Sequence, residues 1–162
     1  MYKVLASTLA IAALVGCAEM EKAENKVMGV EVKAKLVACP ATGTSIGDVP
    51  SCGKVWKLTS GDAELKKNGE LEAEVKGLVL NDTSTGAANG TPDGVDGVAA
   101  AVVCHTPSGA AVAAQTDVVA LSKEGNAKIK AHVNLPSCIA PVIVLRERYE
   151  GKIGGWLAAT GI

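Results

Sequence analysis

The chain of 162 residues has no Phe, only two Trp and two Tyr, and only two His. Its core therefore cannot draw burial from a few large side chains. Most of the apolar content is Ala and Val, which bury less area each at roughly 25 cal/mol per Å², so the fold needs other supports. Charge of one sign is lacking too: 16 Lys and Arg stand against 17 Asp and Glu, a net of −1. Nucleic acid is excluded as a partner, because neutralising phosphates takes a basic stripe. No catalytic nucleophile, cofactor or metal signature is read: there is no His-Glu-x-x-His, no phosphate-binding or dinucleotide glycine pattern, and no Cys-x-x-Cys. An enzyme is accordingly not expected.

The N-terminus carries the most specific signal. Lys3 precedes an apolar and small-residue stretch from Val4 to Val15, the length of a signal-peptide core and too short to span a bilayer as a helix. It ends in Leu14-Val15-Gly16-Cys17, which resembles the lipobox of bacterial lipoproteins. The resemblance implies removal of residues 1–16, diacylation of the Cys17 thiol through a thioether, and acylation of the new α-amino group. Two or three chains hold a protein on a membrane effectively permanently, whereas one does so only marginally. Ala18, where an Asp would signal inner-membrane retention, favours the outer membrane. The expected product is a bacterial cell-envelope protein with a lipidated tether over 17–28 and a domain over 29–162. Without residues 1–16 it would keep 15 basic and 17 acidic side chains, since only Lys3 is removed.

With Cys17 assigned to lipid, Cys39, Cys52, Cys104 and Cys138 remain, an even number in an exported chain. Three pairings are open. Cys39–Cys52 and Cys104–Cys138 are favoured because each closes a local loop between apparent strands. On chain entropy alone those loops contribute about 3 and about 4 kcal/mol.

Alternation of period two begins at Gly29 and recurs along the chain. Val30 to Ala38 is a half-buried strand, Val55 to Thr59 a short one, Ser60-Gly61-Asp62 a turn, and Ala63 to Lys67 a brief strand before the hairpin dipeptide Asn68-Gly69. Gly69 to Leu80 carries Glu70, Glu72 and Glu74 on its polar face. Residues 98–104 form a continuous apolar run, as in a strand covered on both faces. Further strands are expected at 110–114, 118–121, 125–136, 139–145 and 152–160. The polar face of 125–136 is basic, through Lys128 and Lys130, where that of 69–76 is acidic. Side by side and antiparallel, the two rows would face each other.

About nine short strands, no long helix and frequent Gly, Pro and Asn turns indicate an all-β fold, an antiparallel β-sandwich of immunoglobulin-like or related type. The body also resembles uncharacterised secreted bacterial β-sandwich proteins in Val103-Cys104, Leu135-Pro136-Ser137-Cys138 and the ending Trp156-Leu157-Ala158-Ala159-Thr160-Gly161. That resemblance covers about the last seventy residues. It implies the same fold and a Cys104–Cys138 bridge, and carries no activity.

The longest irregular stretch, Asn81 to Gly97, offers hard oxygen ligands in Asp82, Asn89, Asp93 and Asp96. Their spacing does not match the D-x-[DN]-x-[DN]-G calcium loop, and the same residues serve turns. Calcium is the only cofactor this chain suggests. His105 and His132 are read as solvated. Sugar recognition would need aromatic platforms, for which Trp56 and Tyr149 are the candidates, Trp156 being placed in the core. Arg146, Glu147, Arg148 and Glu150 around Tyr149 read as a solvated hairpin turn before a binding tip. The expected role is non-catalytic, structural or interactive, towards an envelope protein or polymer. A calcium- or carbohydrate-binding module is the first alternative, and a secreted enzyme of unrecognised type the second.

Overall fold

The computed structural model describes residues 31–40 and 43–161. The lipobox with Cys17 and the tether over 17–28 lie outside the described residues. In chain order the strands are β1 (Val32–Ala38), β2 (Trp56–Lys57), β3 (Ser60–Leu65), β4 (Glu70–Lys76), β5 (Val79–Leu80), β6 (Val95–Thr106), β7 (Gly109–Gln115), β8 (Val119–Ala120), β9 (Ala127–His132), β10 (Ile139–Tyr149) and β11 (Lys152–Thr160). A short 3₁₀ segment, Thr83–Ala88, precedes β6.

Every ladder between these strands is antiparallel, and β1 is shared between two sheets. Its first half, Val32 to Lys35, pairs with β3, while Leu36 to Ala38 pair with β11. From β1 one sheet runs β3-β4-β9; the other runs β11-β10-β6-β7, with β8 also on β6 and a separate β2–β5 ribbon beside them. The sandwich expected from the alternation is the fold observed.

In the first sheet the period of two works as expected. Leu71, Ala73 and Val75 of β4 are buried together with Ile129 of β9, while the Glu and Lys positions between them face solvent. β4 and β9 lie side by side, with Glu72 opposite Lys130 and Glu74 opposite Lys128. The anticipated facing of the acidic and basic rows is thus present.

The second sheet is buried along unbroken runs: Val98 to Cys104, Ile143 to Leu145, and Trp156 to Thr160. Such runs mean cover on both faces. Part of that cover is the loop closed by the Cys39–Cys52 disulfide. The Trp156 backbone N–H donates to the Pro50 carbonyl at 3.0 Å, and the Trp156 indole donates to the Thr44 carbonyl at 2.9 Å. Gly155 makes that approach feasible, since a Cβ there would stand 2.4 Å from the Ser51 carbonyl oxygen. The same loop reaches edge strand β7, where the Val112 N–H donates to Asp48 Oδ1 at 2.9 Å. An otherwise open edge is thereby blunted. Buried side chains of both sheets join in one core cluster, dominated by Ala, Val and Leu.

Four expectations need correction. Ser60-Gly61-Asp62 is not a turn but the start of β3, with Gly61 opposite Val75. A Cβ on Gly61 would lie 2.9 Å from the Leu36 Cβ, so its smallness serves close packing of neighbouring strands. The strand expected over 69–80 is split into β4 and β5 by Gly77, whose φ of +66° ends the ladder. Val55 to Thr59 contributes only the two residues of β2. The stretch Asn81 to Gly97 is not structureless: it holds the 3₁₀ segment, and β6 already begins at Val95.

Candidate functional site

The far end of β10 carries four consecutive polar residues, and strand alternation divides them between two faces. Arg146 donates from Nε to the Gly154 carbonyl at 3.1 Å and from Nη1 to Gln115 Oε1 at 2.9 Å. Arg148 donates from Nε to Asp96 Oδ1 at 2.7 Å. Glu147 and Tyr149 project to the other side, so Glu147 is paired with neither of its arginine neighbours.

β11 bulges at this point. Arg146 lies opposite Trp156 and Arg148 opposite Ile153, leaving Gly154 and Gly155 to face the single residue Glu147. A bulge of this kind re-aims side chains at the ends of a sheet. Here the Gly155 N–H donates to Glu147 Oε1 at 3.3 Å, and a Cβ on Gly154 would come within 2.6 Å of that oxygen. Burial pushes the Glu147 carboxyl above its ordinary value of 4.5, and the Gly155 N–H opposes the shift.

Three segments that are distant in sequence line a cleft of about 290 Å³ that includes Glu147: Gly53, Lys54 and Trp56; Asp93 and Val95; Glu147 and Tyr149. The Asp93 wall is a tight turn. Asp93 and Gly94 both have positive φ, +49° and +79°, and the Val95 N–H donates to the Pro92 carbonyl at 3.0 Å. Asp93 Oδ2 accepts from Lys54 Nζ, an ion pair that holds the Lys54 ammonium above its ordinary range. Tyr149, also in the lining, is 46 % exposed, with its ring edge against Gly94, where a Cβ would lie 3.1 Å from Cε2. Trp56, expected as an exposed platform, is instead buried at 5 % exposure, because the β2–β5 pairing and the Cys39 carbonyl, which accepts the Trp56 backbone N–H at 2.9 Å, draw it inward.

The residues singled out in the sequence are distributed as follows. Both favoured disulfides are formed, Cys39–Cys52 and Cys104–Cys138, and Trp156 is buried. Arg146, Glu147 and Arg148, expected in a solvated hairpin turn, instead lie half-buried in β10, where pairing with β6 and β11 holds them. Of the four only Glu150 is in the turn, made with Gly151 at φ of +50° and +75°. The four candidate calcium ligands are engaged separately. Asp82 Oδ1 caps Ser84, Asn89 Oδ1 accepts the Asp82 N–H, Asp93 pairs with Lys54, and Asp96 with Arg148. Among the described residues no three His, Cys, Asp or Glu side chains gather as metal ligands. His105 stands on β6 opposite Ile139 and Ala110, whereas His132 stands on β9 opposite Glu70.

A second concavity, about 450 Å³, lies over the solvent face of the first sheet. Two cross-strand rows cross it, Lys33-Glu64-Glu72 and Lys35-Asp62-Glu74-Lys128, and Lys130 continues the first row beyond it, opposite Glu72. In each row the two acids meet across β3 and β4, and each is closed outward by a lysine at 2.6 to 3.5 Å. Hydrogen bonds from Lys130 and Lys128 hold Glu72 and Glu74 below the ordinary glutamate value. These charges are satisfied within the sheet, unlike Glu147.

The expectation that no nucleophile pattern is present needs correction: Gly43-Thr44-Ser45-Ile46-Gly47 has the G-x-S-x-G spacing of a nucleophile elbow. That motif works on a sharp strand-to-helix turn, but here it lies in the Cys39–Cys52 loop. Ile46 bridges Val49 immediately after Ser45, and Ser45 makes no hydrogen bond to a histidine among the described residues. No protein-family model, curated protein or solved structure matches the chain.

Proposed function

We propose that the protein is a lipid-anchored, non-catalytic interaction module of the bacterial cell envelope, held at the membrane through Cys17. The observation that carries the interactive role is the cleft around Glu147, where the ends of three chain segments converge on a rigid, disulfide-stapled sandwich. Loops fixed by such a scaffold are where binding concentrates. The two disulfides suit an oxidising compartment outside the cytoplasm. The lipobox resemblance supports the anchor and Ala18 the outer membrane.

Mass analysis of the mature protein from membranes tests the anchor. A thioether-linked diacylglycerol on Cys17 is expected, and Cys17→Ser should release the protein from the membrane fraction. An unmodified mature N-terminus would overturn the reading. Crosslinking in intact cells from the Glu150 position tests the interactive role, with a discrete adduct expected.

The second reading, a ligand-binding module, is favoured by the same cleft. Its carbohydrate form is poorly supplied, since Trp56 is buried and Tyr149 is the only exposed aromatic residue among the described residues. Its calcium form finds no gathered set of three His, Cys, Asp or Glu side chains among the described residues.

A further inference from the structure

Several features of the cleft point to the class of its occupant. Glu147 is the uncompensated charge there. Lys54 is committed to Asp93, Arg148 to Asp96, and Arg146 to Gln115 and the Gly154 carbonyl. Among the described residues Glu147 accepts one hydrogen bond, from the Gly155 N–H at a long 3.3 Å, which leaves most of its acceptor capacity unused, and the residue lines the cleft. A half-buried carboxylate without a counter-ion is costly, and a cation placed against it recovers that cost. Two positions along the same face of β10, about 7 Å away, stands Tyr149, an exposed aromatic residue. A carboxylate beside an exposed aromatic face is the arrangement that receives an organic cation, charge to the carboxylate and stem or ammonium against the ring.

Size and rim narrow the class. A volume of about 290 Å³ lies at the small end of ligand pockets and suits one side chain better than an oligosaccharide. The rim carries a completed ion pair, Lys54–Asp93, which offers both signs of charge to a polar protein surface rather than a basic patch to anionic lipid.

We propose that this cleft receives the ammonium of a lysyl side chain from a partner protein, with Glu147 as counter-charge and Tyr149 as flanking face. The inference rests on the reading of this end of the sandwich as the interactive one.

The test titrates the purified full chain with Nα-acetyl-lysine amide, its Nζ-acetylated counterpart and glycerophosphoethanolamine. Binding is followed by the Gly155 amide and Tyr149 ring resonances. Saturable binding of the lysine amide is expected, with the acetylated form at least tenfold weaker. Glu147→Gln keeps an acceptor for the Gly155 N–H, so the bulge should persist while affinity falls at least tenfold. Tyr149→Leu, at an exposed position, should weaken binding severalfold and remains informative if Glu147→Gln fails to fold. No saturable shift with the lysine amide, or equal binding of the acetylated form, would overturn the proposal. Tighter binding of glycerophosphoethanolamine would overturn it in favour of a lipid headgroup. If a Glu150 crosslink forms in cells but no ammonium binds, the ligand class is wrong and the interactive role stands.

Discussion

The indole N–H of Trp156 donates to the carbonyl oxygen of Thr44 at 2.9 Å, tying the last strand of the sandwich to the loop enclosed by the first disulfide. One of the few large side chains in a small-residue core thus also fastens its cover. Trp156→Phe should remove the donor and leave a small void, costing about 1 to 3 kcal/mol. Urea unfolding of the variant against the parent chain measures this directly.

The two disulfides divide the supporting work. Replacing Cys104 and Cys138 together by Ser should cost about 4 kcal/mol, and replacing Cys39 and Cys52 about 3 kcal/mol, if the bridges act by restricting the unfolded chain. Only the second replacement frees the loop over β11. It alone should therefore shift Trp156 fluorescence to the red in the folded state, because that indole rests on Thr44. Equal spectra in both variants would contradict the loop's covering role.

The charge rows predict a sign-dependent cycle. Lys128→Glu places a third carboxylate beside Glu74 and Glu72 and should lower the melting temperature. Adding Glu74→Lys restores a pair of opposite charges across these two positions with its polarity reversed. The new lysine also stands opposite Asp62, so recovery should be substantial. A double-mutant cycle gives the coupling. Because Glu72 and Glu74 are held below 4.5 by their lysines, their stabilising contribution is complete above that value. It is lost as pH falls through the lowered folded values. Lys128→Met with Lys130→Met should flatten this acid limb in melts taken downward from about pH 5.

Glu147 predicts the opposite slope. Its folded value is raised by burial, so between 4.5 and that value the folded chain binds more protons than the unfolded one. The penalty of its charge is complete above the raised value and fades as pH falls towards 4.5. Lys54, Asp93 and Tyr149 line the same cleft. Glu147→Gln should therefore gain stability relative to the parent chain at about pH 7 and show no such gain at about pH 4. Thermal melts at both values decide it.

Calcium at about 1 mM, the range of extracellular modules, should leave the melting temperature unchanged. Asp93 and Asp96 would have to abandon Lys54 and Arg148 to serve it.

Much of this was legible from residue order. Alternation assigned the faces of β4 and β9 because a period of two is a local property of the extended chain. The Glu and Lys rows identified two strands as neighbours because opposite charges must meet somewhere, and they do meet, at Glu72 with Lys130 and Glu74 with Lys128. An even cysteine count and short loops favoured, out of three open pairings, the two disulfides that form. The continuous run over 98–104 marked a strand covered on both sides.

Other features arose only from the assembled sheets. Nothing local separates a turn from a strand at Ser60-Gly61-Asp62; pairing with β4 and the proximity of Leu36 decide it. Trp56 is buried through contacts made by Cys39 and β5, both remote in sequence. Glu147 stands between two arginines in the chain, yet the pleat turns both away, and a bulge in β11 opens opposite it. Side-chain period is a local matter, whereas register, bulges and enclosure depend on which distant strands come together. The sequence by itself determined the faces and the staples, and the tertiary structure decided which charge was left without a partner.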